Sequence, residues 1–409
     1  MNRMDLMSPR VSVITAIRNR PEVGSAQQLP QSGARTLNQH PPRILFVRCW
    51  KPSQVLSSGG DIRCLAVERA LRSSGDVEVY DSDEHSGGEE VDAASLRAAM
   101  WGFLIRLGIG RIREQRIYDA ARSADVVFFH GLPAFRWTGI SDQKRAIIDI
   151  GDIASQYFAQ GLHRGTLATR PVKWLRYAWT RYSERVLLNA FRYATVCSED
   201  DQRYLNHPKV RVVPNCYRSH PLMDYPPNPH PSRDLLFVGT LFYPPNIEGL
   251  EWFVKDILPV IRDRAPGTTL TVVGRSPEGL PRERPWLNFP GVEFLGTVSD
   301  VGPYVRSAKL EICPLERGGG TRIKLMESLA FGTPAVSTTV GAYGLSMSEE
   351  EGIFRRDTVE GFASACLELL QDVERRSMVG ANGQAHVRSH YSPDIVAEKV
   401  AQLVTEITQ

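Results

Sequence analysis

The sequence predicts an α/β protein of two doubly wound domains facing each other across a cleft. Three observations carry that expectation. Short apolar strands alternate with helical stretches twice over, from residue 43 to 217 and again from 235 to 390. A proline-rich stretch without periodicity, RSHPLMDYPPNPHPSRD (218–234), separates the two runs as a linker. A glycine triplet followed by cations lies where a strand gives way to a helix in the second run. Alternation of strand and helix implies parallel βαβ units with helices on both sheet faces. Ligands of such sheets bind beyond the carboxyl ends of the strands.

Residues 1–42 read as a disordered tail, because PEVGSAQQLPQSGARTLNQHPP is polar and rich in Pro, Gln and Gly. RILFVRCW (43–50) opens the first domain as a strand, SSGGD (57–61) is the following loop, and IRCLAVERALRSSG (62–75) has a helical pattern. DVEVYD (76–81) is a strand, 92–122 an amphipathic region, and DVVFFHG (125–131) and RAIIDIGD (145–152) are strands. A long helical region (170–193) leads to the strands ATVCSE (194–199) and VRVVPNCY (210–217). Beyond the linker come the strand LLFVGT (235–240), the helix NIEGLEWFVKDILPVIRDRAP (246–266) and the strands TTLTVVGR (268–275) and VEFLGTV (292–298). The helix VGPYVRSAK (301–309), the strand LEICPL (310–315), and PAVST (334–338) and EGIFRRD (351–357) complete the pattern before helices run to the end.

The totals exclude several function classes. A chain of 409 residues suffices for two domains of ordinary size, and 42% apolar with 23% charged residues is a globular composition. A net charge of +3 makes no demand for nucleic acid. The six cysteines (Cys49, Cys64, Cys197, Cys216, Cys313, Cys366) form no CxxC pair and no metal-like spacing with histidine, as expected of reduced thiols in a cytoplasmic protein. No apolar run approaches the roughly 18 residues of a membrane span, and the N-terminus lacks the apolar core of a signal peptide. DSD (81–83) only ends a strand, so no metal site is expected there. A GxGxxG fingerprint is absent, against a nicotinamide dehydrogenase.

The chemistry concentrates in ERGGGTRIKLMESLAFG (316–332). TRIKLMESLAFG carries Ile323, Met326, Leu329 and Ala330 at helical spacing and ends at Gly332, a favoured helix stop. Gly318, Gly319 and Gly320 therefore make the turn from strand to helix, where amides and the helix N-terminus converge on an anion-sized concavity. Arg322 and Lys324 in the first turn oppose the helix dipole, costing roughly 0.3–1 kcal/mol each unless an anion compensates. Glu327 sits one turn deeper. Phosphates repel a carboxylate, but the two hydroxyls of a ribose suit it. The competing reading is a surface turn with solvated cations and Glu327 paired to Lys324.

PLERGGGTRIKLMESLAFGTPAVSTTVGAYGL resembles the donor-binding segment of family 4 glycosyltransferases, of the GT-B fold with two Rossmann-like domains. LLFVGTLFYPPNIEGLEWFVKDILPVI, LTVVGR and VEFLGTVSDVGPYVRSAKLEICPL precede it in the family's order, and SSGGD, ATVCSEDD and VRVVPNCY agree more loosely, so the resemblance spans 43 to about 405. It implies that the second domain (235–390) binds a nucleotide-diphospho-sugar, a co-substrate rather than a cofactor, and that the first (43–217) binds the acceptor. Arg322 and Lys324 would neutralise the diphosphate and Glu327 would bind the ribose. Gly318, Gly319 and Gly320, with Thr321, would line the sugar-phosphate, Gly239 and Thr240 would border the same pocket, and Asn246 at the start of the next helix would serve as a cap or a polar contact. The family commonly has a further glutamate where this chain has Gly319, and Glu316 lies three residues upstream, which leaves the sugar contact open. VSVITAIRNRPE near the N-terminus resembles the start of family 2 glycosyltransferases, a different fold, and nothing downstream continues that pattern.

In the first domain Gly59 and Gly60 could present amides across the cleft, or simply turn strand into helix with a Ser58 or Asp61 cap. His130, Asp149 and Asp152 end strands and are the candidates to orient the acceptor hydroxyl or take its proton; loop capping is the alternative for each. Family members often have a histidine where Gly151 stands. Arginine and aromatics mix in WGFLIRLGIGRIREQR (101–116) and RPVKWLRYAWTRYSERVLLNAFR (170–192), as on helices that lie on anionic membrane or whose stems cover a core.

The expectation is thus a metal-independent, hexosyltransferase-type enzyme. It moves a sugar, with retention by the resemblance, to a glycan or lipid-linked acceptor in exopolysaccharide, lipopolysaccharide or other glycoconjugate synthesis. It would work in the cytoplasm, at the inner face of the membrane if those helices touch lipid. The helix over 391–409 would cross back to the first domain, as GT-B chains do. The alternatives are a non-hydrolysing sugar-nucleotide epimerase, which would cluster carboxylates and histidines at the cleft, and an inactive nucleotide-sugar-binding module.

Overall fold

The computed structural model describes residues 40–48, 51–52, 59–81, 115–132, 134–135, 142, 144–162 and 169–409. The expected tail up to residue 39, Ser57 and Ser58, the last two residues of DSD, residues 92–114 of the amphipathic region and nearly all of the 101–116 stretch lie outside them.

Each run of strands becomes one six-stranded, wholly parallel sheet. The first holds β1 (Arg43–Arg48), β2 (Asp76–Asp81), β3 (Val126–His130), β4 (Ala146–Asp149), β5 (Tyr193–Val196) and β6 (Val210–Val212), side by side as β2-β1-β3-β4-β5-β6. Among the described residues its helices are α1 (Gly59–Ser74), α2 (Gln115–Ser123), α3 (Ala154–Gln160), α4 (Arg170–Asn189) and α5 (Glu199–Leu205). The second holds β7 (Arg233–Val238), β8 (Leu270–Val273), β9 (Val292–Gly296), β10 (Ala308–Cys313), β11 (Ala335–Ser337) and β12 (Ile353–Arg355), in the order β12-β11-β10-β7-β8-β9. Its helices are α6 (Pro244–Trp252), α7 (Leu258–Arg264), α8 (Leu280–Glu283), α9 (Gly302–Ser307), α10 (Ile323–Ala330), α11 (Val359–Gln371) and α12 (Val373–His390), and α13 (Pro393–Thr408) ends the chain.

Every residue of β3, β4 and β5 is buried, because helices cover both faces of a parallel sheet. Strand order reverses beside β1 in one sheet and beside β7 in the other, which opens a crevice at the carboxyl ends of β1/β3 and of β7/β10. The SSGGD glycines follow β1, Gly239 follows β7 and the glycine triplet follows β10, so the topology alone brings them to the two crevices.

The helix expected over 246–266 is interrupted. A π turn, Phe253–Ile257, separates α6 from α7, just ahead of Pro259, whose nitrogen cannot donate to the preceding turn. The linker is not a loose tether. It folds a 3-10 turn at Pro221–Asp224, and Gln384 of α12 donates to the carbonyls of Met223 (3.2 Å) and Tyr225 (3.1 Å). After α12 the chain leaves the second domain: Val396, Val400, Leu403 and Val404 of α13 join Ile44, Cys64, Val67 and Leu71 in one buried cluster. Where the two crossings meet, the Tyr217 amide donates to the Tyr391 carbonyl at 3.3 Å. Pro41–Gln409 form a single compact unit.

Candidate functional site

A cavity of about 540 Å³ lies between the carboxyl ends of the two sheets. Gly59, Gly60, Gly151 and Asp152 wall it from the first domain. Gly239, Thr240, Asn246, Gly319, Gly320, Thr321, Arg322, Lys324 and Glu327 wall it from the second. Most of the residues singled out in the sequence therefore meet in one place.

Two glycines of the triplet are obligatory. Gly318 and Gly320 have φ of 128° and 69°, in the region side chains avoid. A Cβ on Gly318 would also strike the Arg322 guanidinium and stand 2.9 Å from the Tyr243 hydroxyl, and one on Gly320 would stand 2.5 Å from the Asp152 carboxylate. The bend folds Arg322, the residue capping α10, back over the loop, where its Nη1 donates to the carbonyls of Gly319 and Gly320. Its Nε and Nη2 are buried without a hydrogen-bond partner among the described residues. Two unsatisfied donors on a permanent cation make a socket for an anion.

Lys324 adds a second charge. Its ammonium lies 4.1 Å from the centre of the Phe237 ring and 3.4 Å from Asn246 Oδ1, while Asn246 Nδ2 donates to the Thr240 carbonyl at 2.8 Å. Burial lowers the Lys324 pKa, opposed by Cys313 and Glu311. Glu327 is almost enclosed, and burial raises its pKa against the pull of Arg218. The cation beside Glu327 is thus Arg218 of the linker, with Nε at 3.9 Å, and not Lys324 as the competing surface-turn reading had it.

The first domain departs further from expectation. His130 and Asp149 end their strands but do not reach the cavity wall. Asp149 is fully buried and accepts from Arg63 Nε (2.9 Å), Arg63 Nη2 (2.5 Å) and the Thr195 hydroxyl (2.6 Å), with His130 Nδ1 at 2.9 Å. Burial pushes its pKa up, but the Arg63 charge and the bonds from His130 and Arg63 outweigh that and hold it far below the carboxylate range. A carboxylate so saturated has no lone pair left for an acceptor hydroxyl. Asp152 does face the cavity, and its Oδ1 lies 3.6 Å from where a Cβ would stand on Gly319. Glu316 is exposed and off the wall.

Sequence reasoning missed the groups that join the domains. Arg63 Nη1 donates to the Val213 carbonyl and Asn215 Oδ1, both at 2.9 Å, and Asn215 Nδ2 donates to the Thr321 hydroxyl at 2.7 Å. A polar chain thus runs from buried Asp149 into the glycine loop of the other domain. Gln160 grips that loop from α3: its Oε1 accepts from the Gly318 amide (3.0 Å) and its Nε2 donates to the Gly318 carbonyl (3.1 Å). The Tyr343 hydroxyl accepts from Gln156 and donates to Asp201 at 3.1 Å. Carboxamides and tyrosines belong to no short motif, so nothing local marked them. Among the described residues no helix is long and apolar enough to cross a membrane.

Residues 232–372 match the family model "Glycosyl transferases group 1". Over 185 residues the chain is 26% identical to the phosphatidyl-myo-inositol mannosyltransferase of Mycolicibacterium smegmatis, covering 44% of this chain and 47% of that protein. It spans less than half the length of the curated relatives it matches. Among solved structures, sucrose-phosphate synthase of Thermosynechococcus elongatus superposes with a TM-score of 0.65 at 16% identity, over 90% of this chain and 99% of the other. Anabaena HepE in complex with UDP-glucose superposes with 0.59 at 13% identity, over 89% and 100%. At these identities the superpositions establish the fold, which is GT-B, two Rossmann-like domains about a cleft.

Proposed function

We propose, from a second domain that belongs to the group 1 glycosyl transferases, that this chain moves a sugar from a nucleotide-diphospho-sugar to an acceptor hydroxyl. The observation that carries the reading is the pair of buried, unpartnered donors on Arg322, at the wall of an interdomain cavity and at the N-terminus of α10. The names of similar proteins support it: one is a mannosyltransferase and another was solved with UDP-glucose.

In this reading the diphosphate lies on Arg322, Lys324 and the α10 amides, which take up the charge that grows as the sugar–phosphate bond breaks. Fixed cations do this work without a metal. Glu327 receives the ribose hydroxyls, with Arg218 offsetting its charge. Gly319 and Gly320 leave room for the sugar, and Asp152 supplies the carboxylate in front of them, to orient the acceptor hydroxyl or take its proton. His130 and Asp149 act at a distance by holding Arg63. Retention of the anomeric configuration is carried from the family resemblance. Among the described residues the cavity wall presents the carboxylates of Asp152 and Glu327 and no histidine, which disfavours the epimerase. The same wall, with Asp152 opposite the bare Gly319, disfavours the inactive module.

The acceptor belongs to glycoconjugate synthesis in this proposal, as a glycan or a lipid-linked saccharide. Val172, Trp174, Leu175, Trp179 and Tyr182 of α4 are exposed beside Arg170 and Arg176, an arrangement that supports contact with the cytoplasmic face of a membrane.

Calorimetric titration with UDP and GDP tests the donor site. Arg322→Ala is expected to weaken binding about 30-fold, roughly 2 kcal/mol for lost charge-assisted bonds, while the melting point of the unliganded protein stays put. Undiminished affinity in that variant refutes the assignment.

A further inference from the structure

Three consecutive glycines have no side chains with which to hold a loop, and ordered glycine gives up more backbone freedom than any other residue. The shape of residues 318–320 must therefore come from their neighbours. Arg322 restrains the second half, donating through Nη1 to the Gly319 and Gly320 carbonyls. Gly318 is held from the other domain. Its amide donates to Gln160 Oε1 at 3.0 Å, and its carbonyl accepts from Gln160 Nε2 at 3.1 Å. One carboxamide thus takes both polar groups of a single residue across the domain boundary.

Gly318 is also where the loop meets the guanidinium. A Cβ there would strike Arg322 Nη2, so Nη2 packs on the bare α-carbon. With Nη1 on the loop carbonyls and Nη2 against Gly318, the loop sets the direction of the two buried donors that have no partner, Nε and Nη2. The clamp itself stands on a fixed element. Helix α3 is tied to α4 by the Ser155 amide and hydroxyl on Glu184 (2.9 and 2.5 Å) and by Arg176 stacked over Phe158. Lys173 Nζ donates to the Gly161 carbonyl at the end of α3. Gln156, one turn before Gln160 on the same face, donates to the Tyr343 hydroxyl, so α3 grips the second domain twice.

We infer that Gln160 is a positioning residue for the diphosphate: a side chain of the first domain holds the glycine loop of the second in the shape that aims Arg322. The inference rests on the reading that a diphosphate lies on Arg322. Gln160 is not part of the cavity wall and acts through Gly318. Without it the loop is free before binding and has to be ordered by the ligand, so affinity falls by that ordering cost and by no lost ligand contact.

Calorimetric titration of the full chain with UDP and GDP, in a double-mutant cycle of Gln160→Ala and Arg322→Ala, tests this. Gln160→Ala is expected to weaken binding about tenfold, the cost of ordering roughly one backbone residue. Once Arg322 is alanine, the same change is expected to alter affinity less than about twofold. Gln160→Glu keeps the length and the bond from the Gly318 amide, but sets a carboxylate oxygen against the Gly318 carbonyl. It is expected to bind at least as weakly as the alanine variant. In the unliganded wild-type protein the Gly318 amide is expected to exchange hydrogen slowly, and in Gln160→Ala fast.

Equal losses from Gln160→Ala with and without Arg322, or a glutamate variant that binds like wild type, reveal a side chain that only fills space and overturn the inference. Fast exchange of the Gly318 amide in the wild type does so whether or not either variant folds. Binding that needs Arg322 but not Gln160 overturns this inference alone. If neither nucleotide binds the wild type, or Arg322→Ala binds equally well, the diphosphate reading itself falls, and this inference with it.

Discussion

Asp149 shows how much of a residue's role is decided by what folds against it. Ending a strand at the mouth of a crevice, it reads as a catalytic acid or base. Its partner Arg63 lies 86 residues earlier in the chain, and no local pattern joins them. Asp149→Asn is expected to destabilise the protein by about 3–5 kcal/mol at neutral pH, because Arg63 is left as an uncompensated buried charge. The folded pKa is depressed, so this stabilisation is fully present above the unfolded value of about 3.9 and is lost as pH falls towards the folded one. Urea unfolding followed across that range should show the gap between variant and wild type narrowing only in acid; a gap constant down to about pH 2 contradicts the ion-pair account. Arg322, Lys324 and Glu327 were legible because they sit within six residues of one another, on a turn whose glycines announce it. The residues that complete the site, Arg63, Asn215 and Gln160, were not, since each reaches it through tertiary packing.

At the scale of elements, strands were the easiest to read: buried parallel strands appear as apolar runs bounded by turn residues, and every run expected between 43 and 357 is a strand in one of the two sheets. Helices were less legible. The 246–266 stretch reads as one helix by periodicity, yet a single proline widens its hydrogen bonding into a π turn. The linker's proline content hid its docking on α12, because the bonds run from a distant glutamine to main-chain carbonyls. Helix α4 keeps both of its earlier readings in view. Arg176 stacks over Phe158 at 4.2 Å, and Glu184 accepts from the Ser155 amide and hydroxyl, yet the Trp174 and Trp179 rings stay exposed. Replacing both tryptophans by serine is expected to reduce cosedimentation with vesicles containing anionic lipid at least tenfold, from about 1.5 kcal/mol per lost aromatic insertion. Unchanged sedimentation, with UDP binding intact, would show that α4 does not meet the bilayer.

For the whole molecule, α13 matters most. Its Val396, Val400, Leu403 and Val404 are buried in the first domain's core. Burial of four such side chains contributes on the order of 6–12 kcal/mol, comparable to the whole stability of a domain. A chain ending at Ser392 is therefore expected to lose the folded first domain. Two-dimensional NMR of that truncation should retain dispersed signals from the second domain and lose those of β1–β6. Intact first-domain signals would mean the helix is only an accessory.

The same helix sets an order on biosynthesis. Nascent proteins commonly fold domain by domain from the N-terminus as they emerge, at roughly 5–20 residues per second. Here the first sheet waits for a helix that follows the second sheet. For the roughly 16–65 seconds that this rate implies between Leu71 and Val396, Ile44, Cys64, Val67 and Leu71 lack the α13 side chains that join them in the core. A ribosome-stalled nascent chain lacking only α13 should accordingly be captured by chaperones through its first domain, even when its second already binds UDP.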